Sequence, residues 1–139
     1  MRRLATLAIL AVTAGCAGSS VTGPNLDVRQ LPATVTLEVG ETATIGGVGA
    51  RFSEVKGDSR CPEDVVCAWA GDAEVVLTVG PLTGEGPAQQ LSLHTFLEPH
   101  AGTALGFVFT LVNLDPVPRS TDTKRVYRAT IRVDRPAVP

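Results

Sequence analysis

Five residues of this sequence have chemistry that depends strongly on spacing and compartment. Cys16 lies directly after an apolar N-terminal run, whereas Cys61 and Cys67 lie near the middle of the chain with five residues between them. His94 and His100 follow with the same spacing. Two such cysteines form a disulfide in an oxidising compartment, whereas in a reducing one they are more often metal ligands or reactive thiols. The compartment therefore has to be established first.

The N-terminus has the pattern of an export signal. Arg2 and Arg3 precede a short apolar run, 4–12, which is well below the roughly 20 residues that a membrane-spanning helix needs. The next four residues, Thr13-Ala14-Gly15-Cys16, resemble the lipobox of bacterial lipoproteins, in which the cysteine is lipidated and becomes the first mature residue. We therefore predict a lipoprotein signal peptide over 1–15 and lipidation of Cys16. The alternative is an ordinary signal peptide cut nearby, with Cys16 an incidental thiol.

This signal predicts where the mature chain resides. A doubly acylated and N-acylated cysteine carries more than one buried chain, which is what stable membrane anchoring requires. Ala17, in place of Asp, resembles the sorting choice of outer-membrane lipoproteins. We therefore expect a cell-envelope protein held on a membrane, facing the periplasm or the cell surface.

The composition bounds the class of the mature protein. Without 1–15, which hold two arginines and no acidic residue, ten basic and 14 acidic residues remain, so a nucleic-acid-binding surface is not expected. The segment 16–30 contains glycine, serine, proline and asparagine without an apolar period, and predicts a flexible tether. A single domain is expected over 31–135, followed by a tail, 136–139.

The hydrophobic pattern of that domain predicts strands. About seven short segments alternate between apolar and polar residues, with glycine and proline turns between them: 34–39, 42–45, 51–55, 73–79, 89–95, 106–114 and 125–133. Such regular spacing, with one apolar face per strand, favours antiparallel sheets packed face to face. The expected fold is an all-β, immunoglobulin-like β-sandwich with one short disulfide-closed loop.

Within this exported protein, Cys61 and Cys67 form an even pair, which predicts a disulfide. So small a ring would stabilise the fold by about 2 kcal/mol in the chain-entropy model. Zinc ligands usually have two to four residues between the cysteines, and redox pairs have two, so neither use fits. Pro62, Glu63 and Asp64 have the types found at the start of a helical turn, and we expect one there.

The segment around these cysteines resembles a family of bacterial secreted and lipid-anchored proteins of unknown function. Its members carry a DSRCP…C-x-W-x-G block before an aliphatic strand, matched here by 58–62 and then Cys67, Trp69 and Gly71. The resemblance implies a compact β domain with a short disulfide loop, and no activity. We also expect Trp69 to cover the disulfide.

The candidate binding loop lies beside the disulfide, because ordered loops on rigid β scaffolds are where such domains carry function. Its predicted residues are Asp58, Arg60, Glu63, Asp64 and Trp69. The acidic residues lack the alternating pattern of a Ca²⁺ loop, and we expect solvated turns and an Asp58–Arg60 contact.

No hydrolase, phosphate-loop or metalloprotease motif occurs in the sequence, so an enzyme is not expected. The leading hypothesis is a non-catalytic, lipid-anchored module that binds a protein or polymer of the envelope. One alternative is a metal-handling envelope protein that uses His94, His100 and acidic oxygens, although solvent-exposed histidines are the default expectation. Another is an immunoglobulin-like protease inhibitor.

Overall fold

The computed structural model describes residues 23–136 and shows a sandwich of two sheets. Its strands, in chain order, are β1 Asn25–Leu26, β2 Ala33–Glu38, β3 Thr42–Ile45, β4 Val48–Asp58, β5 Ala73–Pro81, β6 Gln89–His94, β7 Ala101–Ala104, β8 Phe107–Asp115 and β9 Arg128–Asp134. A single 3₁₀ turn, Val28–Gln30, lies between β1 and β2. One sheet has the order β1-β3-β4-β5-β6 and the other β2-β9-β8-β7. The predicted all-β sandwich is confirmed.

The core lies between the sheets and comes from the inward positions of the alternating strands. Its largest fully buried side chains include Phe52 of β4, Leu77 of β5 and Phe109 of β8. Alternation places successive side chains on opposite faces, so each of these strands contributes one apolar row. Among the described residues, all of those that form the buried core cluster are apolar. The core is therefore a purely apolar layer closed by both sheets.

Three loops meet at one end of the sandwich, which we call the disulfide end. It consists of the β4–β5 loop, 59–72, the β6–β7 loop, 95–100, and the β8–β9 loop, 116–127. The register fixes this arrangement, because Asp58 pairs with Ala73, and Glu74 pairs with His94 at the end of β6. The opposite end carries the turns between β5 and β6 and between β7 and β8.

Several sequence-based boundaries need correction. The domain begins before residue 31, since β1 and the 3₁₀ turn belong to it and Leu26 and Val28 pack against the core. β4 starts at Val48 because the glycines before it form the turn from β3. β9 starts at Arg128, and β1 and β7 are strands too short for the alternation pattern to detect.

The N-terminal predictions fall on residues that are not described. The signal peptide, 1–15, and Cys16 lie outside the described residues, as do 137–139 of the tail. Within 23–136, no helix is long and apolar enough to cross a bilayer.

Candidate functional site

The β4–β5 loop continues the pairing of its two strands before it opens. Beyond the last strand pair, Ser59 N donates a hydrogen bond to Asp72 O at 2.7 Å, and Cys61 N donates one to Ala70 O at 2.8 Å. These backbone bonds extend the hairpin to the first cysteine. The part of the loop that lacks such pairing is therefore short.

A disulfide closes that remaining part. Cys61 and Cys67 are bonded with their Cα atoms 5.9 Å apart, as the spacing predicts. The expected helical turn is wrong: Val65 N bonds back to Pro62 O at 3.3 Å in one isolated turn. A helix continued from Cys61 to Cys67 would place their Cα atoms about 9 Å apart, which exceeds the 5.9 Å that the disulfide imposes.

Asp58 and Arg60 form the base of the disulfide end. Arg60 donates two hydrogen bonds to the Asp58 carboxylate, from Nε at 2.9 Å and from Nη2 at 2.8 Å, which confirms the predicted contact. The same guanidinium donates to the carbonyls of Leu114 at 2.5 Å and Pro116 at 2.8 Å. Arg60 thus joins the β4–β5 loop to the end of β8 in the other sheet.

A second pair of side chains completes this network. Arg125 Nη1 donates to Asp58 Oδ2 at 3.2 Å, and the Tyr127 hydroxyl donates to the same oxygen at 3.1 Å. The Asp58 side chain is only 4% exposed, and that of Arg60 14%. Burial alone would raise the pKa of Asp58, but the hydrogen bonds and positive charge of Arg60, with Tyr127, outweigh it and lower the pKa below its ordinary value. Asp58 and Arg60 therefore support the fold of the disulfide end, in addition to any contact that they make with a partner.

The acidic residues of the loop tip contact the β8–β9 loop. Glu63 forms an ion pair with Arg119, and its backbone N–H donates to Pro118 O at 2.9 Å. Asp64 accepts hydrogen bonds from Ser120, at 2.9 Å from its N–H and 2.5 Å from its hydroxyl. These two bonds lower the pKa of the Asp64 carboxyl. This docking could not be predicted from the sequence because Asp64 and Ser120 are 56 residues apart.

Trp69 does not cover the disulfide. Its side chain is 78% exposed, because β5 begins at Ala73 and Trp69 therefore belongs to the loop and not to a strand. It lies beside Phe96, 63% exposed, and Leu97, 54% exposed. These three side chains line a groove of about 400 Å³ together with Ser59, Ala70, Gly71 and Asp72. We call this feature the Trp69 groove.

Asp72 fixes one wall of the Trp69 groove. Its Oδ1 accepts hydrogen bonds from the backbone N–H groups of Phe96 at 2.8 Å and Leu97 at 3.2 Å. Its Oδ2 lies 2.6 Å from Nδ1 of His94. Burial opposes the charge of Asp72, but the hydrogen bonds from His94, Phe96 and Leu97 outweigh it and lower its pKa to about 2. The carboxylate thus orders the turn that presents both apolar side chains.

The two histidines have protein partners. Because an ionised carboxylate only accepts hydrogen bonds, His94 Nδ1 donates to Asp72. His100 Nδ1 bonds to His94 O at 2.8 Å, and its Nε2 lies 3.5 Å from Glu98 Oε1. His94 is therefore not the solvent-exposed histidine that we expected. Across 23–136, no group of three or more His, Cys, Asp and Glu side chains is arranged to hold a metal ion.

Of the predicted binding residues, the structure therefore places Trp69 at an open surface, Glu63 and Asp64 in contact with the neighbouring loop, and Asp58 and Arg60 in the supporting network. Sequence reasoning missed Phe96 and Leu97. Their only signal was an adjacent apolar pair in a turn before Pro99, and an apolar pair there is equally compatible with a buried turn.

Comparisons with known proteins give no relatives: no family model, no curated protein and no solved structure matches the chain. Function has therefore to be argued from the disulfide end itself.

Proposed function

We propose that this chain is a non-catalytic interaction module of the cell envelope, anchored by lipid on Cys16, that binds its partner through the Trp69 groove. The sequence predicts a protein or polymer as the partner. The Trp69 groove favours a partner with an apolar surface, because Trp69, Phe96 and Leu97 form most of its lining. The one charged lining residue, Asp72, already accepts hydrogen bonds from within the protein.

The observation that supports this proposal most strongly is the exposure of Trp69 and Phe96 on a braced support. Aromatic side chains carry a large apolar area, and the residues that dominate binding surfaces are enriched in tryptophan. The backbone under them is fixed by the disulfide, by the Arg60 network and by Asp72. A pre-ordered apolar surface loses little conformational entropy on binding.

A photo-crosslinking experiment in the native envelope tests the proposal. A photoreactive amino acid at position 96 should give a discrete adduct, whereas the same group at position 82 should not. Leu82 is the matched control because it is also an exposed apolar residue, but it lies in the turn at the opposite end of the sandwich. Adducts of equal yield at both positions, or at neither, would exclude the Trp69 groove as the contact surface.

The anchor is tested separately by Cys16→Ser. This change should abolish acylation and release the protein from the membrane fraction, because the acyl chains on Cys16 are the proposed anchor. Cys61→Ser should leave acylation intact. Equal membrane fractionation of the wild type and Cys16→Ser would remove the anchor from the proposal while leaving the groove to be judged by crosslinking.

A protease inhibitor is the second candidate, and one observation favours it. Val66, one of the residues in the ring that the disulfide closes, is fully exposed to solvent. The ring is fixed in place by the hydrogen bonds of Glu63 to Pro118 and of Ser120 to Asp64. A constrained exposed loop is what an inhibitor offers to a protease. Incubation with a panel of envelope proteases should then give inhibition without cleavage between 61 and 67, and rapid cleavage there would dismiss this candidate.

A further inference from the structure

The partner of the Trp69 groove can be named from the position of the chain's own anchor. We infer that the disulfide end docks on the bilayer surface in which the Cys16 lipid is embedded, with Trp69, Phe96 and Leu97 entering the lipid interface. This inference rests on the proposed anchor and on the proposed role of the groove, and it replaces the protein or polymer expected from the sequence with a lipid surface as the occupant.

The exposed apolar side chains are concentrated at this end. Of the 11 large hydrophobic residues that are exposed in the described chain, seven lie in its three loops: Val65, Val66, Trp69, Phe96, Leu97, Val117 and Val126. The loops at the opposite end carry Leu82 and Leu105 alone. Tryptophan favours membrane interfaces, since its ring is apolar and its N–H can remain hydrated.

The direction in which the chain enters the domain points to the same end. β3 is antiparallel to β4, and β4 ends at the disulfide end, so β3 runs away from that end. β1 is parallel to β3, and therefore also runs away from it. Gly23 already lies against Thr42, where an added Cβ would be 2.0 Å from the Thr42 carbonyl oxygen. The chain before Gly23 thus approaches from the side of the disulfide end.

The length of the remaining chain fits this direction. Cys16 and Gly23 are seven residues apart, which span at most about 25 Å when extended. Thr42 pairs with Arg51, and two bulges in β4 set Arg51 and Asp58 opposite Thr78 and Ala73, so this stretch covers only the five-residue length of β5, about 17 Å. The lipid can therefore reach the level of the disulfide end but not far beyond it. Tethering over so short a span gives the groove a high effective concentration of membrane.

The charges of the disulfide end present little obstacle to contact with lipid. Every acidic side chain in its three loops has a hydrogen-bond or ion-pair partner within the protein, from Ser120, Arg119, His94, Arg125 and the N–H of His100. The same loops hold four basic side chains against these five acidic ones: Arg60, Arg119, Lys124 and Arg125. Their formal charges nearly cancel, so the loops present apolar side chains without a large net negative charge.

Trp69 is the only tryptophan in the chain, so its fluorescence reports on the groove directly. Acylated protein is reconstituted into vesicles of phosphatidylethanolamine and phosphatidylglycerol. We expect its emission to be shifted to the blue relative to the soluble Cys16→Ser protein, shielded from iodide, and quenched by brominated lipid. The double variant Phe96→Ser/Leu97→Ser should shift the balance toward undocked protein by at least about tenfold and restore iodide quenching. Leu82→Ser, at the opposite end, should not.

The outcomes separate this inference from the proposal on which it rests. Protein that floats with the vesicles but keeps Trp69 open to iodide would overturn docking and leave the anchor in place. Protein that does not float would overturn both. Shielding of Trp69 in native membranes but not in protein-free vesicles would overturn the lipid surface in favour of a protein partner. Thermal unfolding of each variant checks that these exposed substitutions leave the fold unchanged.

Discussion

At the scale of single residues, Asp58 receives hydrogen bonds from Arg60, Arg125 and Tyr127, which come from two loops of the disulfide end. Both of its carboxylate oxygens accept hydrogen bonds, and it forms ion pairs with two cations, Arg60 and Arg125. Removal of one partner from a buried charged network is costly because the other charges remain buried. Asp58 is therefore the residue whose loss should damage this end most.

We predict that Asp58→Ala lowers the free energy of unfolding by about 3 kcal/mol. Asp134→Ala is the matched control, since Asp134 pairs with Arg132 on the surface of β9 and such pairs contribute about 0–1 kcal/mol. Urea unfolding with the disulfide intact measures both. Similar losses for the two variants would mean that Asp58 is no more than a surface partner.

Asp72 gives the protein an acid-sensitive contribution to stability. Its folded pKa, about 2, lies below the unfolded value near 3.8, so the folded state holds the proton less tightly. The resulting stability is present above about pH 5 and is lost as the pH falls through 4 toward 2. Allowing for screening by solvent, we expect about 1 kcal/mol from this residue. Urea unfolding at a series of pH values should show a shallower loss below pH 5 in Asp72→Asn than in the wild type, and an unchanged slope would contradict the assignment.

Contacts between side chains could be predicted from the sequence only where the two residues are close together in the chain. The Asp58–Arg60 contact and the Cys61–Cys67 bridge could be read from spacing, because few conformations separate such close residues. The contacts of Leu114 with Arg60 and of Arg125 with Asp58 could not, because β8 and the β8–β9 loop reach this position only once both sheets have packed.

At the scale of elements, the β4–β5 loop shows why its glycine stands where it does. Gly71 has φ +70°, and a Cβ added there would be 1.8 Å from the carbonyl oxygen of Ser59. The chain passes so close because Ser59 and Asp72 pair at the base of the loop. Gly71 is therefore required by a close backbone approach and by its left-handed conformation.

We predict that Gly71→Ala lowers the free energy of unfolding by about 3 kcal/mol or more, since the backbone of Ser59 must move. Gly57→Ala is the control, because a Cβ at Gly57 would meet nothing within 4 Å and its backbone is not left-handed. Thermal or urea unfolding compares the two. If Gly71→Ala were as stable as Gly57→Ala, the close approach could not be a feature of the folded protein.

The strands were predictable where alternation was unbroken. β2, β3 and β5 were expected within two residues of their observed bounds, since their inward rows are regular. In β8 the register shifts between Leu111 and Asn113, which leaves Asn113 exposed and turns Leu114 inward. A bulge of this kind adds one residue to one strand, and simple alternation has no way to anticipate it.

At the scale of the whole molecule, the domain begins earlier than its composition indicates. The segment that reads as a tether contributes Leu26 and Val28 to the edge of the core. Its polar composition concealed this role, because among its described residues, 23–30, two side chains pack against the core. The linker between lipid and domain is correspondingly short, which brings the domain close to the membrane in the anchored protein that we propose.

We predict that a chain starting at residue 31 is less stable than one starting at residue 23 by about 3 kcal/mol. The loss reflects two apolar side chains removed from the core edge, at roughly 1.5 kcal/mol each. Urea unfolding of the two truncated proteins measures the difference. Equal stability would show that β1 and the 3₁₀ turn add nothing to the fold.

Hydrogen exchange of the protein in its native envelope, compared with the purified domain, tests most directly whether the disulfide end is the contact surface. We predict slower exchange in the envelope at the amides of 65–70 and of the β6–β7 turn around Phe96 and Leu97, with no change at the opposite turn around Leu82. Unchanged exchange at the disulfide end, or slowing confined to the opposite end, would contradict the proposed role of the Trp69 groove.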